Sequence, residues 1–125
     1  MISTQNAEHY HWGDTCHGWH LAKTTGLSVI QELVPPGSQE SRHFHSTSEQ
    51  FFFVLKGTAI LEVDGVVHEL TEQQGCHVAP MVPHQLSNRS QSDLHFLVIS
   101  TPPSHGDRTD AQQGGEPDAF GAGYL

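Results

Sequence analysis

Short runs of Val, Ile, Leu and Phe, each stopped by glycine or proline before a helix has room to develop, confine this chain to β-structure. Residues 27–34 form a strand candidate closed by Pro35-Pro36-Gly37. Residues 49–56 form the strongest one, ending at Gly57. Residues 58–63 and 66–70 flank Asp64-Gly65, a hairpin signal because a type I′ turn requires positive φ at both central residues. Further strands fit 77–79, 85–88 and 94–100. Strands this short, with turns about every eight to twelve residues, predict a sandwich or barrel.

The segment 49–56 constrains the outside as well as the inside. Successive side chains of a strand point to opposite faces, so Gln50, Phe52 and Val54 share one face and Glu49, Phe51, Phe53 and Leu55 the other. A sheet with one wet face alternates apolar with polar, yet both faces here are mostly apolar. A second copy of the chain is the simplest cover, which predicts a homodimer.

A length of 125 residues is one domain, large enough for a core without disulfide staples and too small for separate cofactor and substrate domains. The first 26 residues hold Trp12, Trp19 and His9, His11, His17 and His20, and read as an arm packed on the barrel or on a partner subunit. Residues 27–101 are the expected barrel, and 102–125, rich in Gly, Pro, Asp and Gln, read as a flexible tail. No internal repeat suggests a duplicated barrel. Five basic residues against 14 acidic ones give a formal charge of −9, which disfavours nucleic acid and membrane surfaces as partners. Cys16 and Cys76 form no CxxC pattern, and neither a signal segment nor a spanning apolar run is visible, so a soluble cytoplasmic protein is expected.

Eleven histidines stand out, dispersed rather than consecutive. His43 and His45 lie two apart, which on an extended strand sets both imidazoles on one face about 6–7 Å apart. A third ligand is available from Glu49 or Gln50 after the Ser-Thr-Ser turn, and His84 follows a proline-rich turn at Pro80 and Pro83. These residues resemble two motifs of the cupin superfamily, in its small single-domain form. The first, G-x5-H-x-H-x3or4-E-x6-G, is matched by Gly37, His43, His45 and Gly57. The second, ending P-x-G-x2-H-x3-N, is matched by His84 and Asn88. The resemblance implies an all-β double-stranded β-helix, or jelly-roll barrel. It also implies dimerisation and a metal held by both histidines and the acid of the first motif and the histidine of the second.

The pattern departs from the family at informative places. Counting back from Gly57 lands on Gln50; counting forward from His45 lands on Glu49. Phe52 and Val54 are in phase with Gln50, so the expected metal set is His43, His45, Gln50 and His84, with Glu49 as the alternative to Gln50. In the second motif the family's proline and glycine fall on Ala79 and Met81, and its first glycine on Gln73. The remaining histidines, His68, His77, His95 and His105 and the four near the N-terminus, are read as surface, structural or interface residues. Cys76 is read as a small hydrophobe rather than a nucleophile.

Three imidazoles and an oxygen donor suit a divalent iron, manganese, nickel, cobalt, copper or zinc ion. The functional expectation is a metal-dependent enzyme for a small molecule, dioxygenase-like and acting on a chelating oxygenated substrate such as an enol, diketone or polyphenol. The alternatives are a sugar or sugar-phosphate isomerase or epimerase, and a non-catalytic barrel that binds a small molecule. Catalytic residues are not identifiable. A phosphate substrate needs a cationic clamp, and Arg42 is the sole obvious anion-binding candidate.

Overall fold

The computed structural model describes residues 1–111. Within them the chain is all strand, turn and loop, with no helix. Eleven strands follow in order: β1 (Glu8–Trp12), β2 (Cys16–Lys23), β3 (Ser28–Val34), β4 (His43–Phe44), β5 (Glu49–Lys56), β6 (Ala59–Val63), β7 (Val66–Leu70), β8 (Gly75–Val78), β9 (His84–Ser87), β10 (Leu94–Thr101) and β11 (Thr109–Asp110). They make two antiparallel sheets, one in the order β1-β2-β3-β10-β5-β8 and the other β11-β4-β9-β6-β7. The two sheets form the expected jelly-roll barrel, with the core between them.

Register sorts the barrel interior into rows. Gln50 on β5 lies opposite Ser100 on β10, which lies opposite Ser28 on β3. The next row is Phe52, Val98 and Ile30, and the one after it Val54, Phe96 and Glu32. All nine side chains are buried. Leu61, Leu70 and Leu86 close the core from the second sheet. The interior is thus apolar through its middle and polar in the row that carries Gln50, because the strands end there in serines rather than in Val or Phe.

The Asp64-Gly65 hairpin forms as expected, with φ of 50° and 86° joining β6 to β7. Gly57 sits at φ 93°, where a Cβ would lie 2.6 Å from the Asp93 carbonyl oxygen, so no side chain fits between β5 and that loop.

Segments on either side of the expected barrel span also form strands. The N-terminal segment folds as the hairpin β1–β2, which extends the larger sheet through β3. Tyr10, Trp12, Cys16, Gly18 and His20 turn inward, while His9, His11, His17 and Trp19 turn outward. Gly18 lies between Tyr10 and Glu32 in register, and a Cβ there would meet the Tyr10 ring at 2.1 Å. The Tyr10 side chain therefore crosses β2 over the missing side chain, and its hydroxyl donates to Glu32. Of the expected tail, residues 102–111 run back along the barrel: β11 pairs with β4, and Ser104 is buried. Polar side-chain contacts rather than hydrophobic burial hold this segment, which is why its composition does not reveal it. Residues 112–125 of that tail lie outside the described residues.

Candidate metal centre

β4 and β9 are neighbours, and their single register pair is His43 opposite His84. Two residues beyond His43, His45 returns to the same face, as alternation requires. Ring centroids are 4.8 Å apart for His43 and His45, 4.5 Å for His43 and His84, and 5.6 Å for His45 and His84. One ring nitrogen from each lies within 4.8 Å of the other two, and all three side chains are buried.

Backbone carbonyls fix which nitrogen is which. The Nδ1 of His43 donates to Ser41 O at 2.7 Å, that of His84 to Val82 O at 2.9 Å, and that of His45 to Asp107 O. A carbonyl only accepts, so Nδ1 carries the proton in each ring and the lone pair belongs to Nε2. The Nε2 atoms of His43 and His84 are buried with no hydrogen-bond partner. Burial, reinforced by the neighbouring charges of His84 and Arg108, lowers the His43 pKa to about 2. Burial, with His45 and Arg108 adding to it against the Val82 carbonyl, lowers that of His84 to about 4. Both rings are therefore neutral near pH 7, the form a metal requires.

The structure turns Gln50 inward and Glu49 outward. Gln50 is 1% exposed, its Nε2 donates to Ser100 Oγ at 2.9 Å, and its Oε1 is buried without a partner. Glu49 is exposed on the other face and pairs with His77 Nε2 at 2.7 Å. Two nitrogens of the imidazole cluster thus lack partners, as does the inward amide oxygen of Gln50, and a buried polar atom left so costs about 1–3 kcal/mol. This nitrogen-rich donor set with one oxygen fits a divalent first-row transition ion.

Two loops hold the cradle. Asp107 accepts from the backbone N–H groups of Ser46, Thr47 and Ser48 at 2.8–3.0 Å and from Thr47 Oγ1 at 2.8 Å, while its own carbonyl receives His45. Burial pushes the Asp107 carboxyl up, but these donors outweigh it and hold it well below the usual carboxylate range. The second loop carries Met81, whose N–H donates to His45 O at 2.6 Å.

Several participants escape the motif reading. Glu40 is buried, accepts Leu86 N–H at 3.0 Å and has Oε2 at 3.8 Å from His43 Nδ1. Glu32 is fully buried, and burial raises its pKa well above the normal value, with Glu40 adding to the effect and the Tyr10 hydroxyl and Arg108 opposing it. The barrel therefore contains two carboxyl groups where the sequence shows no clear inward one. Arg108 was legible only as one of five basic residues, yet its charge reaches His43, His84 and Glu32. Arg42 is occupied elsewhere, by Glu62 at 2.7 and 3.1 Å and by Ala111 O at 2.7 Å. Beyond Ser28, a cleft of about 320 Å³ is lined by His20, Lys23, Ser104 and His105.

Comparison with known proteins agrees with this architecture. A family model described as "Cupin domain" matches residues 30–100. The uncharacterized protein MJ1618 of Methanocaldococcus jannaschii is 32% identical over 89 residues, covering 70% of this chain and 71% of that protein. The protein described as polyketide synthase CurC, from Streptomyces cyaneus, is 27% identical over 77 residues; the match covers 62% of this chain and 47% of CurC. Among solved structures, one described as a sugar phosphate isomerase from a cupin superfamily, from Silicibacter pomeroyi, superposes with a TM-score of 0.74 at 17% identity, covering 97% of this chain and 99% of that one.

Proposed function

Because the chain belongs to the cupin domain family, we propose that it is a metal-dependent enzyme acting on a small, chelating, oxygen-rich molecule. His43, His45, His84 and Gln50 would hold the ion. The single observation that carries this reading is the buried convergence of His43, His45 and His84, with the Nε2 atoms of His43 and His84 left without hydrogen-bond partners. When bound, a divalent iron, manganese, nickel, cobalt, copper or zinc ion supplies Lewis acidity, and its redox-active members also supply dioxygen chemistry.

The preferred reaction is dioxygenase-like cleavage of an enol, diketone or polyphenol. The description of CurC as a polyketide synthase supports that substrate class, since polyketides carry such vicinal and 1,3-related oxygens. The chain's own residues complete the reading. Arg108 supplies positive charge toward the His43–His84 region, where an enolate or phenolate would need balancing. Burial raises the pKa of Glu32 inside the barrel, and its carboxyl accepts the Tyr10 hydroxyl.

A second reading, proton-transfer isomerisation of a sugar, is favoured by the buried carboxyl groups of Glu32 and Glu40. Its phosphate version is weakened because Arg42 is committed to Glu62. The barrel is also proposed to work as a cytoplasmic homodimer. The apolar outer face of β5 and the free thiols of Cys16 and Cys76 support that setting.

The test is elemental analysis of protein purified without added metal, followed by oxygen uptake with catechol and 1,3-diketone probes. Metal content that disappears in His43→Ala and His84→Ala, with oxygen consumed by the native protein, is the expected result. Turnover of a sugar without oxygen would select the second reading. Full metal content in either variant would remove the first.

A further inference from the structure

The outer face of the β1–β2 hairpin carries a second group of imidazoles. Register sets His11 opposite His17 and His9 opposite Trp19, so alternation sends His9, His11, His17 and Trp19 to one side. His9 Nε2 lies 2.9 Å from His17 Nδ1. Ring centroids are 4.7 Å apart for His9 and His11 and 4.5 Å for His11 and His17. One nitrogen from each of the three rings falls within 4.8 Å of the others. His9 and His11 are exposed and His17 is half-buried, so an ion reaches them without opening the fold.

We propose that His9, His11 and His17 form a surface site for a late first-row divalent cation, separate from the barrel. Two nitrogens bound to one such ion at about 2.0–2.1 Å stand about 3.0–3.4 Å apart, close to the observed His9–His17 separation. The proton now shared between those two rings would leave, and His11, with a ring nitrogen within 4.8 Å of the other two, would complete three ligands. The donor set is imidazole alone, which selects zinc, nickel and copper over calcium or magnesium. The ion would clip the edge strand β1 to β2, and so hold the strand from which Tyr10 reaches Glu32.

Trp19 gives the site its own reporter, since its ring lies 5.3 Å from that of His9 and 5.9 Å from that of His17. The experiment titrates the full chain with Zn²⁺ against a chromophoric chelator, and separately with Cu²⁺ while following tryptophan fluorescence. About two zinc ions per chain are expected for the native protein, and about one for His9→Gln/His17→Gln. Cu²⁺ quenching should fall sharply in that variant and in Trp19→Phe. Unchanged zinc stoichiometry and unchanged quenching in His9→Gln/His17→Gln would overturn the surface site. A single zinc lost only in His43→Ala/His84→Ala would also overturn it while leaving the barrel site standing. A single zinc lost only in His9→Gln/His17→Gln would do the reverse.

Discussion

Gln73 and Met81 carry side chains through backbone turns at φ 67° and 69°, a region that L-residues enter at a cost of about 1–2 kcal/mol. Both stand where the second cupin motif has glycine. The turns survive because hydrogen bonds over-determine them: Gln73 N–H donates to Val54 O at 2.9 Å, and Met81 N–H to His45 O at 2.6 Å. Glycine would remove the Cβ strain but add about 0.5–1 kcal/mol of unfolded-state freedom. Gln73→Gly and Met81→Gly should therefore each stabilise the fold by about 0.5–1 kcal/mol, read as higher urea midpoints. Lower midpoints in both variants would refute the strain. Glu32 makes a second prediction. Its raised pKa means that the folded chain keeps a proton which the unfolded chain releases above about pH 4.3. Stability from this group is complete below that value and declines, by about 1.4 kcal/mol per pH unit, as pH rises toward the folded-state pKa. Glu32→Gln removes the titration, so its advantage over the native chain should widen between pH 5 and pH 7 in urea unfolding. A constant difference would mean that Glu32 is ionised in the fold.

Strands that announce themselves do so through local signals. β5 matches residues 49–56 as read from the sequence, because Phe51-Phe52-Phe53 and the stop at Gly57 act within a few residues. The β6–β7 hairpin was legible from Asp64-Gly65 for the same reason. β1 and β2 were not, since the outward positions hold three histidines and a tryptophan and the inward ones include Gly18 and His20, which blurs the apolar alternation. Within the candidate site, His43 and His45 followed from spacing, the inward turn of Gln50 from phase, and His84 from the motif resemblance. The support from Asp107 did not, because it joins residues about sixty positions apart through a carboxylate that resembles any surface acid. That contact makes residues 102–111 an element of the site. Asp107→Ala should release the loop at residues 46–48 and the ring of His45, weakening zinc binding in the barrel about 10–100-fold while the far-UV spectrum stays β-rich. Zinc affinity equal to that of the native chain would show that the loop keeps its geometry without the carboxylate.

At the scale of the whole molecule, and among the described residues, the outer face of the larger sheet carries an exposed apolar patch. On the outside of the larger sheet Phe51 is 39% exposed and stacks on Phe53 at 6.3 Å. Ile99 and Leu97 stand opposite them in register, half-buried, and Val29 lies opposite Ile99. Only part of each ring remains to be covered, so a two-fold contact that reaches the roughly 800 Å² per partner of a stable interface must also take in Leu97, Ile99 and Val29 and their surroundings. Opposing it is the charge of −9, which makes two copies repel over about 10 Å at moderate salt. The proposed dimer should therefore tighten as salt is raised, whereas an interface held by ion pairs would loosen. Phe51→Glu places a carboxylate at the centre of the face and should give a monomer, with the barrel fold retained because the ring is partly exposed already. Light scattering during size-exclusion chromatography reads both effects. A native chain that elutes as a monomer at every salt concentration would mean that this face meets solvent or a different partner.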